Sequence, residues 1–308
     1  MIEVFARSSA MREVVDLAER VSATDSNLLI TGESGSGKDL IASYIHSQSR
    51  RAKGPYVKID CATLPADLLE AELFGYERGA FTGATEAKPG RFEAAEQGTV
   101  VLDEVAHLPN DSQAKLLRVI ESREFERLGG RTTLKLDARL IALTNVELEH
   151  AVKRGAFRED LFYRLNVIHI RVPPLRDRRE DVRKLAGYFQ ILYSRKHGST
   201  VRGISAAALE LLLAYDFPGN ARELANLVER AVIVARGKWI ETTDWPATVI
   251  EGITAQQRSE KPLSLAELEA EHIAKVLVTS NGNKTECARI LGISRKNLYE
   301  KIAKYKLD

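Results

Sequence analysis

Two stretches of this sequence have the residue types and spacing for phosphate chemistry. The first is Gly32-Glu33-Ser34-Gly35-Ser36-Gly37-Lys38-Asp39, a glycine-rich turn that follows an apolar run and opens a helical pattern. Glycines let backbone N–H groups face phosphate oxygens, a helix N-terminus favours anions, and a lysine at the end of the turn reaches the β- and γ-phosphates of a nucleotide. The hydroxyl residue that usually follows the lysine, and that would sit on magnesium, is replaced by Asp39. The second stretch, residues 99–104, is an apolar run ending in Asp103 and Glu104. Two such acids alone merely solvate a strand end. Beside a phosphate-binding turn, Asp103 is expected to hold Mg²⁺, directly or through water, and Glu104 to orient and activate the water that attacks ATP. Thr144-Asn145 ends a further apolar run, where the Asn145 amide is either a γ-phosphate sensor or a loop cap.

These residues must be carried by a sheet. Candidate strands are Leu28–Thr31, Tyr56–Ile59, Thr99–Leu102, Leu140–Thr144 and Ile168–Val172, with helical patterns such as Ser112–Glu121 between them, which makes the first half α/β. Pro173-Pro174 stops the last strand, since neither can donate to a ladder. From about Arg179 to Val234 the pattern is purely helical. Residues 250–262 are polar and weakly patterned and read as a linker; a final helical block runs from Leu263 to Lys306. The expected division is therefore 1–172, 173–249, 250–262 and 263–308.

Composition excludes several classes. The 308 residues carry 45 Lys and Arg against 43 Asp and Glu, net +2, so any basic surface is local. Two cysteines, Cys61 and Cys287, fall in different expected domains and do not make a disulfide framework. The six histidines show no metal-ligand spacing. No apolar run approaches the ~18 residues of a membrane span, and no signal-peptide pattern opens the chain, so a cytoplasmic protein without membrane partners is expected.

Near the C-terminus, Ile273–Leu277 and Glu286–Leu291 read as amphipathic helix segments. Gly292-Ile293 is a turn, Ser294 is a cap, and Arg295–Lys304 is a last helix. Leu298 and Ile302 face one way, while Arg295, Lys296, Lys301 and Lys304 supply positive charge. That is the layout of a DNA-recognition helix, with Ser294, Arg295, Lys296, Asn297, Tyr299 and Lys301 as the candidate contacts; an ordinary amphipathic pair has the same pattern.

The segment Glu72-Leu-Phe-Gly-Tyr-Glu-Arg-Gly79-Ala80-Phe81-Thr82-Gly83-Ala84 reads by propensity as a glycine-rich loop with one aromatic. It also contains GAFTGA intact, and so resembles the contact loop of the sigma-54-dependent activators, the NtrC class of bacterial enhancer-binding proteins within AAA+. GESGSGKD, GTVVLDEV, QAKLLRVIE, FREDLFYRLNV, PPLRDRRED and FPGNARELANLVERAV match this class in order, and GNKTECARILGISRKNLYEKI resembles its Fis-type helix-turn-helix.

The resemblance implies an AAA+ P-loop NTPase with a parallel sheet core, a helical lid and an all-α DNA-binding domain. Gly79, Ala80, Phe81, Thr82, Gly83 and Ala84 would touch sigma-54. Arg158 and Arg164 would be arginine fingers reaching a neighbour's nucleotide in a homo-oligomeric ring, typically hexameric; the plain alternative is a surface ion pair with Glu159 or Asp160. Arg222 would be the lid's sensor. The implied partners are the sigma-54 RNA polymerase holoenzyme and enhancer DNA, with ATP and Mg²⁺ as cofactors. Control would come from a regulator in trans or a regulatory domain outside this sequence. The chain departs from the class at three places: Asp39 for Glu, Phe217 for Trp, and Asp60 where Asn most often holds the water-activating glutamate. A regulator of the same ancestry that acts without sigma-54 is the alternative.

Overall fold

The computed structural model describes residues 6–251, 253, 264–280 and 283–305. The chain divides into two compact units, Met1–Ile250 and Glu251–Asp308. In the first, five short strands form one parallel sheet: β1 (Leu28–Thr31), β2 (Tyr56–Asp60), β3 (Thr99–Asp103), β4 (Arg139–Thr144) and β5 (Ile168–Arg171). Their order is β2-β3-β4-β1-β5. The inner strands are almost wholly apolar because helices cover both faces. Alternation along β1 shows this directly. Leu29 enters a core with helices Ala66–Phe74, Asn110–Ser122 and Glu159–Leu165, whereas Leu28 and Ile30 enter one with Ser9–Ser22 and Lys38–Ser47.

The strand ends differ from expectation in ways that matter to the site. β2 and β3 each run one residue further, so that Asp60 and Asp103 stand opposite each other in register. β5 stops at Arg171, one residue short, ahead of Pro173-Pro174. β4 begins at Arg139, whose fully buried guanidinium donates to the carbonyls of Val21 and Ser22 at the end of helix Ser9–Ser22. A cation there satisfies carbonyls that the helix leaves open.

Residues 179–234 fold into helices Arg179–His197, Ala206–Ala214 and Asn220–Val234, but the stretch is not purely helical: Gly203–Ile204 pairs with Trp239–Ile240 as a short parallel ribbon. Asp181, buried in the first of these helices, accepts from the backbone of Arg7 and Ser8 and from the Ser8 hydroxyl, which ties the N-terminal segment to the lid. The linker expected over 250–262 lies mostly outside the described residues, as do Leu263 and Lys306.

The second unit has helices Leu265–Thr279, Lys284–Leu291 and Arg295–Tyr305 around Ile273, Val276, Cys287, Ala288, Leu298 and Ile302. Asn283 caps the middle helix, and Gly292, at φ 66°, ends it in the left-handed conformation that glycine tolerates. Both cysteines are buried and free.

Candidate functional site

The glycine-rich turn joins β1 to helix Lys38–Ser47 at the C-terminal end of the sheet. Gly32, Gly35 and Gly37 have φ values of 155°, 74° and 105°. At Gly35 a Cβ would lie 2.3 Å from the Gly219 carbonyl oxygen, so no side chain fits between the turn and the lid there. Lys38 is buried, and its ammonium donates to the carbonyls of Gly32 (2.8 Å) and Glu33 (3.2 Å). Burial lowers its proton affinity, against the pull of Glu104, Asp103 and Asp39. The buried Ser36 hydroxyl has no hydrogen-bond partner. A left-handed glycine cradle, a desolvated ammonium and an orphaned hydroxyl together fit a phosphate chain.

The acids gather beside this turn. Asp103 Oδ1 accepts the Glu104 N–H at 3.0 Å, and Asp103 Oδ2 lies 2.7 Å from Lys58 Nζ. The same ammonium lies 2.5 Å from Asp39 Oδ1. Two carboxylates drawn to one point are a donor set suited to a hard divalent cation. Glu104 has φ 53° and ψ 46°, a left-handed conformation that costs a non-glycine residue about 1–3 kcal/mol and collects at functional sites. This turn aims the side chain across the sheet, where Oε2 accepts the Asn145 N–H at 3.4 Å. Asp60 is not joined to Glu104: its Oδ1 accepts the Ala62 N–H at 2.9 Å, closing a turn after β2. The buried Cys61 thiol is pushed up to about 12 by burial, with Asp60, Asp103 and Glu104 adding to it.

The lid is docked on the glycine-rich turn. Arg222 donates to Ser34 Oγ at 2.9 Å, and the Ala221 N–H donates to the Gly35 carbonyl. Fully buried Asn220, at φ 55°, donates to Glu33 Oε2 and the Ser34 carbonyl and accepts the Leu175 N–H. Arg176 forms a two-pronged pair with Glu33.

Arg158 and Arg164 stand apart from this group. Arg158 makes a bidentate pair with Asp160, and Arg164 pairs with Glu121 at 3.1 Å. Buried Gln113 accepts the Arg158 N–H and donates to the carbonyls of Leu108 and Ala156, which fixes the backbone that presents Arg158.

Residues 79–84 form the tip of a hairpin whose base is the antiparallel pair Gly75–Tyr76 and Lys88–Pro89. Gly79 N–H donates to the Ala84 carbonyl and Ala84 N–H to that of Phe81. Gly79 and Gly83 have φ values of 84° and 108°. Phe81 is 42% exposed, with its ring edge-on to Tyr76 at 5.0 Å; Ala84 is buried. A second hairpin, Glu124–Glu126 with Thr133–Lys135, lies alongside: its Arg127 clasps Glu93 and Glu77, and Gly129 packs on Ala80.

In the second unit Ser294 Oγ accepts the Asn297 N–H, starting the last helix. Arg295, Lys296, Asn297 and Tyr299 are exposed together, and the Tyr299 ring carries the Lys284 ammonium at 5.0 Å. Lys301 is not with them; its ammonium is held by Glu269 of the first helix of this unit, which also accepts the Tyr305 hydroxyl.

Sequence reasoning missed Lys58, Glu33's partners Arg176 and Asn220, and Gln113. Lys58 left a signal, a charge in the apolar run Tyr56–Ile59; Arg176, Asn220 and Gln113 lie within the segments matched to the class but carry no local sign of these contacts.

Comparison with known proteins agrees with this architecture. Residues 4–171 match the Sigma-54 interaction domain, residues 176–262 the AAA+ ATPase lid domain, and residues 264–305 the Bacterial regulatory protein, Fis family. The Regulatory protein AtoC of Escherichia coli (strain K12) is 45% identical over 313 residues, covering 99% of this chain and 68% of its own length. The Transcriptional regulatory protein ZraR of the same organism is 43% identical over 298 residues, covering 97% and 68%. The crystal structure of NtrX from Brucella abortus in complex with ADP superposes with a TM-score of 0.75 at 36% identity, covering 99% of this chain and 69% of that one. The chain belongs to the sigma-54-dependent activator family, with an AAA+ P-loop core, a helical lid and a Fis-type helix-turn-helix.

Proposed function

We infer that this chain binds enhancer DNA, assembles into a ring and hydrolyses ATP to remodel the sigma-54 RNA polymerase closed complex into an open one. The observation that carries this reading is the union of a glycine-rich cradle, Lys38, Asp103 and Glu104 at one end of a sheet with an intact GAFTGA hairpin on the same unit. Structures of the relative from Brucella abortus in complex with ADP and with ATP support nucleotide binding here.

Lys38 and the N–H groups of the turn bind the phosphates. Asp103, with Asp39 beside it, would hold Mg²⁺, which when bound offsets the charge that develops in phosphoryl transfer. Glu104 takes a proton from the attacking water, and Asn145 keeps that carboxylate aimed. Arg222 couples lid position to the turn through Ser34. Arg158 and Arg164, exposed on one subunit, complete the site of the next. Arg295, Lys296, Asn297 and Tyr299 meet the DNA, in a cytoplasmic setting.

Phe81 and Thr82 test the function apart from the hydrolysis, because a phenyl ring cannot exchange protons and Thr82 lies outside every nucleotide motif. Phe81→Ala and Thr82→Ala are expected to keep ATP turnover within about threefold of parental while losing open-complex formation on a sigma-54 promoter. ATP turnover and promoter opening are measured on the same preparations. Parental rates of opening in both variants would overturn the reading in favour of a regulator that acts without sigma-54.

A further inference from the structure

Lys58 stands in the middle of β2, opposite Val101 of β3, on an edge strand whose side chains can run along the sheet toward its C-terminal end. Its ammonium bridges Asp39, from the first turn of helix Lys38–Ser47, and Asp103, from the end of β3, at 2.5 and 2.7 Å. The two acids come from elements far apart in sequence, and this one cation holds them together. A lysine between two carboxylates is an ammonium at neutral pH. Local charge is then −1 rather than −2. Asp103 is also the carboxylate read above as the divalent-cation ligand.

We propose that Lys58 is a positioning residue for that cation: it holds Asp39 and Asp103 together and competes for Asp103, setting the cation concentration the site requires. The proposal rests on the nucleotide-site reading. Two positive groups on one carboxylate repel, so an arriving divalent cation must weaken the Lys58–Asp103 contact, while Asp39 keeps the displaced ammonium nearby. Removing the ammonium loosens the tie between Asp39 and Asp103, but it ends this competition and takes the local charge from −1 to −2. The latter two effects favour the divalent cation. Because the Lys58 side chain is 37% exposed, solvent screens the effect and keeps it modest.

The experiment uses the full chain loaded with ADP and titrates Mn²⁺, reading free Mn²⁺ by electron paramagnetic resonance. Lys58→Met is expected to bind Mn²⁺ about three- to tenfold more tightly than the parent, and Lys58→Arg, which keeps the charge, to stay within about twofold. ADP affinity in EDTA is expected to stay within about twofold throughout. A merely structural tie would shift thermal stability and leave Mn²⁺ affinity unmoved. Parental or weaker Mn²⁺ binding in Lys58→Met overturns the proposal; Lys58→Gln decides in the same way if the methionine variant does not fold. Failure of the parent to take up ADP would instead overturn the nucleotide-site reading, and the proposal with it.

Discussion

At the scale of single residues, Glu104 carries a local cost. Its left-handed backbone follows an apolar strand directly, and a β-strand end gives no reason for that conformation. What the turn achieves is direction: the carboxylate leaves the line of β3 and meets Asn145 at the end of β4. Glu104→Gln keeps the shape and removes the proton acceptor. It is expected to retain ATP but to hydrolyse it at least ~10²-fold more slowly, in line with lost general-base assistance. Near-parental steady-state turnover would sink the assignment. Asp60 is a contrasting case. The sequence raised an interaction with Glu104, yet the contact that Asp60 makes is to the Ala62 N–H, a turn closure.

At the scale of elements, the lid is held to the glycine-rich turn by a small set of polar contacts centred on Glu33. Hydrogen bonds from Arg176, then Asn220, hold the Glu33 carboxyl down to about 2 from an ordinary value of 4.5. A carboxyl lowered in the folded state stabilises it fully above the unfolded value and loses that contribution as pH falls through the folded value. The stability difference between the parent and Glu33→Gln is therefore expected to be largest above about pH 5 and to shrink toward pH 2. Denaturant melts across that range check it, and a constant difference would mean that Glu33 does not titrate with folding. Asn220 makes a heavier contribution because it is fully buried and answers both the Leu175 N–H and the Ser34 carbonyl. Asn220→Ala leaves the buried Leu175 N–H unpaired and is expected to cost about 1–3 kcal/mol. An unchanged melting midpoint would show that water replaces the amide.

The same elements show what a sequence can and cannot disclose. β1, β3 and β4 were legible because strands covered on both faces are nearly unbroken apolar runs, and the glycine-rich turn because its chemistry is contiguous. The ribbon of Gly203–Ile204 with Trp239–Ile240 was not, since two-residue strands leave no period to detect. Asn220 and Gln113 were hidden for a different reason. Each acts on a partner 45 or more positions away in sequence, Asn220 on Glu33 and Gln113 on Arg158. Their roles follow from packing between elements, which no local pattern records.

At the scale of the whole molecule, the proposed reaction calls on a second subunit. Arg158 and Arg164 are exposed and paired with acids of their own surface, Asp160 and Glu121, rather than with the group around Lys38 and Glu104. Such exposed pairs are worth at most about 1 kcal/mol, so a neighbour's phosphate can draw the guanidinium away at small cost. If each site takes its cradle and acid from one subunit and its finger from the next, two disabled proteins should repair each other. Arg158→Ala subunits keep Glu104 and lack the finger; Glu104→Gln subunits keep the finger and lack the acid. Neither alone should turn ATP over appreciably. In an equal mixture within a cyclic assembly, about a quarter of sites pair an intact acid with an intact finger, so turnover should recover to about a quarter of parental. The measurement is ATP turnover against mixing ratio, with mixed assemblies verified by size and by differently tagged subunits. Recovery should peak at equal proportions and vanish at either end. Mixed assemblies that stay inactive at every ratio would show that Arg158 does not act across the interface, and its bidentate pair with Asp160 would then be its whole role.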